Sequence, residues 1–387
     1  MQLVEVTDKV TAKQFLKVNI YINSSNPDYI RPLDNDINEV FDKKKNKTFR
    51  FGDVTRWILK DNDAKLIGRV AAFTNKKYKN KGDEVPVGGI GFFDCINNQD
   101  AADMLFSVAK HWLMQKGIEA MDGPINFGER DRWWGLLTEG FDPPGYCMNY
   151  NPAYYQQLFE RYGFQPFYNQ VCFARSVKGT MKDKFYERHA NIAKDPGYHA
   201  TYIDKKNLKK YAADFTIIYN KAFAGHGGLK EMHTEIVMKL FKKMKPFMDE
   251  KIIWFTYHNN NPIAMWVNIP ELNQWFKYLD GKLDFFSKLK FLWVKATKRC
   301  SRFTGLVFGV IPEYQGTGVD AYMIVEGAKI IQKQLDYDDY EMQWIGDFNP
   351  KMINIGESLD TYRSRKLITY RYLFDRTREF KRHPMIS

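Results

Sequence analysis

Val310-Ile-Pro-Glu-Tyr-Gln-Gly-Thr-Gly-Val-Asp320 joins an apolar run to an amphipathic one through a loop carrying two glycines. Leu306 to Ile311 is apolar and strand-like, Pro312 stops a strand ladder, and Met323, Ile324, Ala328 and Ile331 follow at helical spacing. The loop therefore sits at a helix N-terminus, where the first backbone amides lack partners and carry part of the positive helix dipole. A phosphate fits there with little rearrangement, and Gly316 and Gly318 let the backbone approach it closely. The lysine and Ser/Thr of a Walker loop are missing, and Gly-Thr-Gly-Val-Asp-Ala is not Gly-x-Gly-x-x-Gly. The plain alternative is a strand-to-helix turn without a ligand.

Working outward, the second half of the chain reads as strand Tyr198 to Ile203 and helix Leu208 to Ala222, then a hairpin of Ile252 to Tyr257 with Ile263 to Ile269. The motif strand and its helix to Leu335 follow, then a strand from Tyr340 to Ile345 and a helix from Lys351 to Leu359. The first half has the same order. A hairpin of Arg56 to Lys60 with Leu66 to Asn75 precedes strand Gly88 to Phe93, helix Ala101 to Lys116, a strand to about Gly123, and a helix from Ala153 to Tyr162 ended by Gly163. Strands alternating with helices after an antiparallel hairpin predict a mixed α/β sheet used twice. The expected division is a first domain over 1–178, a basic linker over 179–196 and a second domain over 197–387.

With 387 residues, 44% of them hydrophobic, the chain has material for more than one core. Nothing approaches the roughly 20 apolar residues of a membrane span, and Met-Gln-Leu-Val-Glu lacks the pattern of a secretory signal, so a cytoplasmic location is expected. Cys95, Cys147, Cys172 and Cys300 are dispersed, as are the seven histidines, and no metal is expected. The net charge of +12 favours anionic partners without choosing among nucleic acid, a membrane surface and a polyphosphate cofactor. No aromatic-basic module of a nucleic-acid reader is present.

The motif resembles the pyrophosphate loop of the GNAT superfamily of acyl-CoA-dependent N-acyltransferases, whose pattern is Gln/Arg-x-x-Gly-x-Gly/Ala after a Val-x-Pro. Gln315, Gly318 and Val310-Ile-Pro312 match, while Asp320 stands where a small residue is usual. Glu341-Met-Gln-Trp-Ile-Gly-Asp-Phe-Asn349 is similar to the superfamily's next strand and the asparagine opening its following helix, and Tyr150 to Phe164 resembles the same helix in the first half. The resemblance implies two tandem GNAT-like domains, each a mixed, mostly antiparallel sheet flanked by helices, of a two-domain bacterial type. It implies transfer of an acyl group, first of all acetyl, from acetyl-CoA or another acyl-CoA to the amine of a small molecule or peptide. The competing reading is a catalytically degenerate member that binds RNA or an anionic surface.

By the same resemblance, backbone at Val310 and Ile311 contacts the pantetheine arm. Gln315, Gly316, Thr317, Gly318, Val319 and Asp320 surround the diphosphate, and Asn349 lies by the outgoing CoA. Direct attack by an amine needs a proton acceptor within reach. The candidates are Glu341, then His226 and Glu231 in the expected acceptor wall, each with the reading of an ordinary surface residue beside it. The tyrosine that many members use as acid is replaced by Gly356, leaving Tyr362, Tyr370 or Tyr372, all readable as packing. The first half carries Asp94-Cys-Ile-Asn-Asn-Gln-Asp100 where its loop belongs, with no glycine and two carboxylates, so only the second half is expected to bind CoA. Glu271 to Arg302, rich in aromatics and lysines, is compatible with an apolar substrate wall, a membrane surface or packing between domains.

Overall fold

The computed structural model describes residues 1–224 and 231–386. The first half runs β1 (Gln2–Glu5), α1 (Lys9–Asn23), α2 (Asp34–Val40), β2 (Gly52–Lys60), β3 (Leu66–Asn75), β4 (Val87–Cys95), α3 (Gln99–Gln115), β5 (Ala120–Gly123), β6 (Leu136–Glu139), α4 (Tyr155–Tyr162) and β7 (Gln165–Ser176). The second continues with α5 (Asp183–Ile192), β8 (Tyr198–Tyr202), α6 (Leu208–Phe223), α7 (Thr234–Met244), β9 (Trp254–His258), β10 (Asn261–Pro270), α8 (Asn273–Phe276) and α9 (Phe285–Thr297). It ends with β11 (Arg302–Val310), α10 (Val319–Gln334), β12 (Asp339–Met342), β13 (Ile345–Gly346), α11 (Pro350–Ser358) and β14 (Tyr362–Leu373).

The mixed α/β sheet expected from the pattern is present, and the two halves share it. Its order is β1-β2-β3-β4-β5-β14-β7-β12-β11-β10-β9-β8, with β13 on β7 and β6 on β14. Each half holds one parallel ladder, β4 with β5 and β11 with β12, flanked by antiparallel ones. Strand β14, last in the chain, lies between β5 and β7 of the first half, and β7 pairs in turn with β12 of the second. Arg371 on β14 seals this exchange. Its Nε and a terminal NH2 reach the buried Asp122 carboxylate of β5 at 2.6 and 2.8 Å, and Tyr78 Oη donates to the same carboxylate at 2.6 Å. A charge this deeply buried is tolerable only when paired and hydrogen-bonded, so the pair fixes which strand fills the gap.

The segment 179–196, expected as a linker, contains α5. Phe185 packs with Ala321 and Val325 of α10, and the His189 ring stacks on Tyr322 with centroids 5.1 Å apart. One apolar core lies around α6, α10 and β9 to β11, and two others flank the first half of the sheet. The hairpin turn between β9 and β10 is made by Asn259 and Asn260, both at positive φ (48° and 64°), a conformation asparagine tolerates better than most residues. No described helix is long and apolar enough to cross a membrane.

Candidate functional site

Strand β11 is bulged at Leu306. The ladder with β10 pairs Val267 with Val307 and Asn268 with Gly305, so Leu306 has no partner, and the strand bends there. On the other side β11 pairs with β12 only from Arg302 to Gly305, and the chain after β12 moves to β7 as β13. From Leu306 onward β11 thus faces an open wedge. Ile311 donates its N–H to Ile263 at 3.0 Å, so by strand alternation the polar groups of Phe308 and Val310 point into the wedge. Gln315 Nε2 donates to the Val310 carbonyl at 3.0 Å, which ties the loop to this open edge.

At the mouth of the wedge the loop turns into α10 through Gly316 (φ 76°) and Gly318 (φ 100°), the latter in the N-cap position. No side chain caps the helix, and the first bond into it is Tyr322 N–H to Gly318 O at 2.9 Å. Among the described residues the amides of Val319, Asp320 and Ala321 therefore have no partner, the arrangement an anion needs. Asp320 lies in the first helical turn, where a carboxylate is favoured by the dipole. Tyr314 braces the loop: its Oη is 2.7 Å from His258 Nδ1, whose Nε2 is 3.2 Å from Asp195. Arg188, exposed on α5, packs beside Gly318, and no described carboxylate pairs with it. Sequence reasoning missed this cation because it lies in the presumed linker.

The catalytic candidates separate. His226 lies outside the described residues. Glu231 is exposed just before α7. Glu341 is buried on β12, and its carboxylate is held by Arg365 Nε at 3.0 Å, Arg302 at 3.2 Å and Ser364 Oγ at 2.7 Å. Two guanidinium groups thus compensate its charge. Tyr362, near this cluster at the start of β14, is exposed, and partial burial raises its pKa. Tyr370 and Tyr372 are buried in the first-half core. Asn349 caps α11, accepting from Met352 N at 3.2 Å. A Cβ at Gly356 would meet the Phe173 ring at 2.8 Å, so at this place α11 has no room for the usual tyrosine.

The unexpected residue is Glu271. It follows β10, is buried, and has no cation on its carboxylate. Oε1 accepts from Tyr146 N at 2.8 Å and Asn273 N at 3.1 Å, and Oε2 accepts from Thr304 Oγ1 at 3.0 Å. Burial raises its pKa. Thr304 lies two positions before the bulge and is the register partner of Glu341, so a charge-compensated and an uncompensated carboxylate flank it. The only sequence signal was the neighbouring Leu272-Asn-Gln-Trp275.

No family model matches the chain. A bacterial ceramide synthase of Caulobacter vibrioides is 22% identical over 363 residues, covering 93% of this chain and 94% of its own. Protein YghO of Escherichia coli is also 22% identical, over 91% of this chain and 90% of its own. Among solved structures, a tandem GNAT protein from the clavulanic acid biosynthesis pathway superposes with a TM-score of 0.52 at 10% identity, over 96% of this chain and 99% of that one. The fold is the tandem GNAT fold.

The two GNAT halves differ at their loops. In the first, β4 is also bulged: Arg69 pairs with Asp94 and Ala71 with Gly91, and Phe92 has φ 49°. Its ladder with β5 ends at Gly89 and Asp122. Here, however, Asn98 caps α3 with its own side chain, accepting from Ala101 N at 2.8 Å. Asp94 is a buried strand residue that takes Arg69 Nε at 2.6 Å, Asn19 Nδ2 at 3.0 Å and Tyr155 Oη at 3.1 Å. The loops thus differ by a side-chain cap, and Asp94, expected to repel a diphosphate, is paired with Arg69. Asn98→Ala is expected to cost about 1 kcal/mol in urea unfolding.

In the second GNAT half, an apolar chamber of about 80 Å³, open to solvent, lies between α10 and α11 over the sheet. Phe303, Phe308, Ile324, Ile331, Met342 and Met352 are among its lining residues. Phe303 and Phe308 lie on either side of the bulge, so the chamber borders it.

Proposed function

We propose that the chain is an N-acyltransferase that moves a medium or long acyl group from acyl-CoA to an amine, using its second half for the donor. The observation that carries this is the bulged, open edge of β11 leading to the uncapped amides of α10. Gln315 to Asp320 hold the diphosphate, with Arg188 as an added cation. The backbone of Phe308, Val310 and Ile311 runs beside the pantetheine arm, and Asn349 holds the start of α11 next to it. The amine attacks the thioester carbonyl, the amide bond forms and the C–S bond breaks to release the thiolate. A backbone N–H in the open edge stabilises the oxyanion in between.

Glu271 replaces Glu341 as the preferred proton acceptor, since no cation holds its charge and burial raises its pKa, which makes its carboxylate the more basic of the two. Thr304 bridges, passing its hydroxyl proton to Glu271 as it takes one from the ammonium. Glu341 positions Arg302 and Arg365. His226, Glu231 and Tyr362 remain candidates for the acceptor wall and for protonating the thiolate. The first half, without an open anion site, shapes the acceptor side.

Two observations favour a chain longer than acetyl. The chamber beside the bulge is apolar, and the Caulobacter relative is named for making ceramide, by definition the fatty-acyl amide of a long-chain amino alcohol. Purified protein is incubated with acetyl-, octanoyl- and palmitoyl-CoA against short and long-chain amines, and N-acyl product and free thiol are both quantified. Transfer should rise at least about tenfold from acetyl to palmitoyl donor, as buried CH₂ groups each add about 0.8 kcal/mol of binding. Equal use of all donors, or acetyl preference, would return the reading to an acetyltransferase. Binding of CoA with no product from any amine would favour the degenerate binding protein.

A further inference from the structure

Helix α9 carries an exposed apolar stripe with no partner in the chain. Its inner side, Phe291 and Val294, packs against Trp275, Phe276 and Leu33, the last from the first half, so part of this segment does pack between the halves. At about 100° per residue, Phe285, Leu289 and Leu292 align with Phe286 and Trp293 in one outward stripe roughly 120° wide, opposite the packed side. These side chains are large and open: Phe285 is 69% exposed, Phe286 79% and Trp293 60%. Lys288 borders the stripe on one side and Lys290 on the other, both exposed and without a described carboxylate partner. Lys277, Lys282 and Lys298 are exposed just beyond the helix ends. Asp284, the nearest carboxylate, is taken up in capping the helix through Ser287 N at 2.9 Å.

Scattered apolar residues on a surface need no explanation, but a contiguous stripe of Phe, Leu and Trp does. We propose that α9 docks the protein on the surface of an anionic phospholipid bilayer, with Phe285, Phe286, Leu289, Leu292 and Trp293 entering the headgroup and acyl boundary and the flanking lysines meeting lipid phosphates. Charge decides against a second copy as the occupant. Two such stripes face to face bring lysine rims together in a chain whose net charge is already +12, whereas an anionic bilayer complements both stripe and rim. The proposal does not depend on the chemistry assigned to the second half.

Vesicle flotation of the full chain tests it, using phosphatidylcholine alone and phosphatidylcholine mixed with phosphatidylglycerol. The parent should float with the mixed vesicles, less so as salt is added, and Phe286→Glu/Trp293→Glu should lower the bound fraction's partition coefficient at least about tenfold. Lys288→Glu/Lys290→Glu, wholly on the surface, should reduce binding to mixed vesicles without changing the thermal unfolding midpoint, so a folding defect in the first variant leaves the test intact. Absence of parent binding to the mixed vesicles, or equal binding by both variants, overturns the proposal. A dimer in sedimentation velocity that the first substitution dissolves, with no vesicle binding, assigns the stripe to self-association instead.

Discussion

Gly318→Glu is expected to raise the Kd for acyl-CoA on the order of 100-fold or more, measured by isothermal titration with acetyl-CoA and with free CoA. Three effects act together at this position. Gly318 has φ 100°, which an L side chain adopts only with strain. A Cβ there would lie 3.3 Å from that of Arg188, so the new side chain disturbs this cation beside the loop. The added carboxylate stands at the amides of Val319 to Ala321, where the diphosphate is proposed to lie, and competes with it for them. Gly318→Ala separates strain from charge: it should weaken binding far less, because it brings no anion. If the glutamate variant, with an unchanged circular dichroism spectrum, binds CoA as tightly as the parent, the phosphate site is not at this loop.

Glu271→Gln is expected to lower kcat about 100- to 10,000-fold while KM for acyl-CoA changes little. Glutamine keeps the shape and still accepts from Tyr146 N and Asn273 N, while its amide group donates to Thr304 Oγ1, so the loss isolates proton transfer. Stability supplies an independent readout. Burial raises the Glu271 pKa above its ordinary 4.5, so the folded protein holds this proton more tightly than the unfolded chain. That contribution is complete below about 4.5 and is lost as pH rises through the folded value. The glutamine variant should therefore unfold at a higher temperature than the parent at pH 8, with the difference closing toward pH 4. The acidic limb of the parent's kcat–pH profile, reporting Glu271 deprotonation, should vanish in the variant. An undiminished kcat would return the search to Glu341, His226 and Glu231.

The sequence alone determined what is local. Gly316, Gly318 and Pro312 specify the strand, loop and uncapped helix by their own conformational preferences, and Asn98 specifies the capped counterpart, so the unequal loops of the halves are legible residue by residue. Helix boundaries followed from periodicity for the same reason, as α3, α6 and α10 illustrate. Pairing partners are not local. Nothing in the alternation of β7 and β14 says that the last strand enters the first half, because a strand's pattern records which face is buried and leaves its neighbours open. The packing of α5 on α10, which brings Arg188 to Gly318, is of this kind. So is the meeting of Glu271 with Thr304 across 33 residues. Only tertiary structure chose between Glu341 and Glu271, since which carboxylate acquires arginine partners depends on which strands lie beside it.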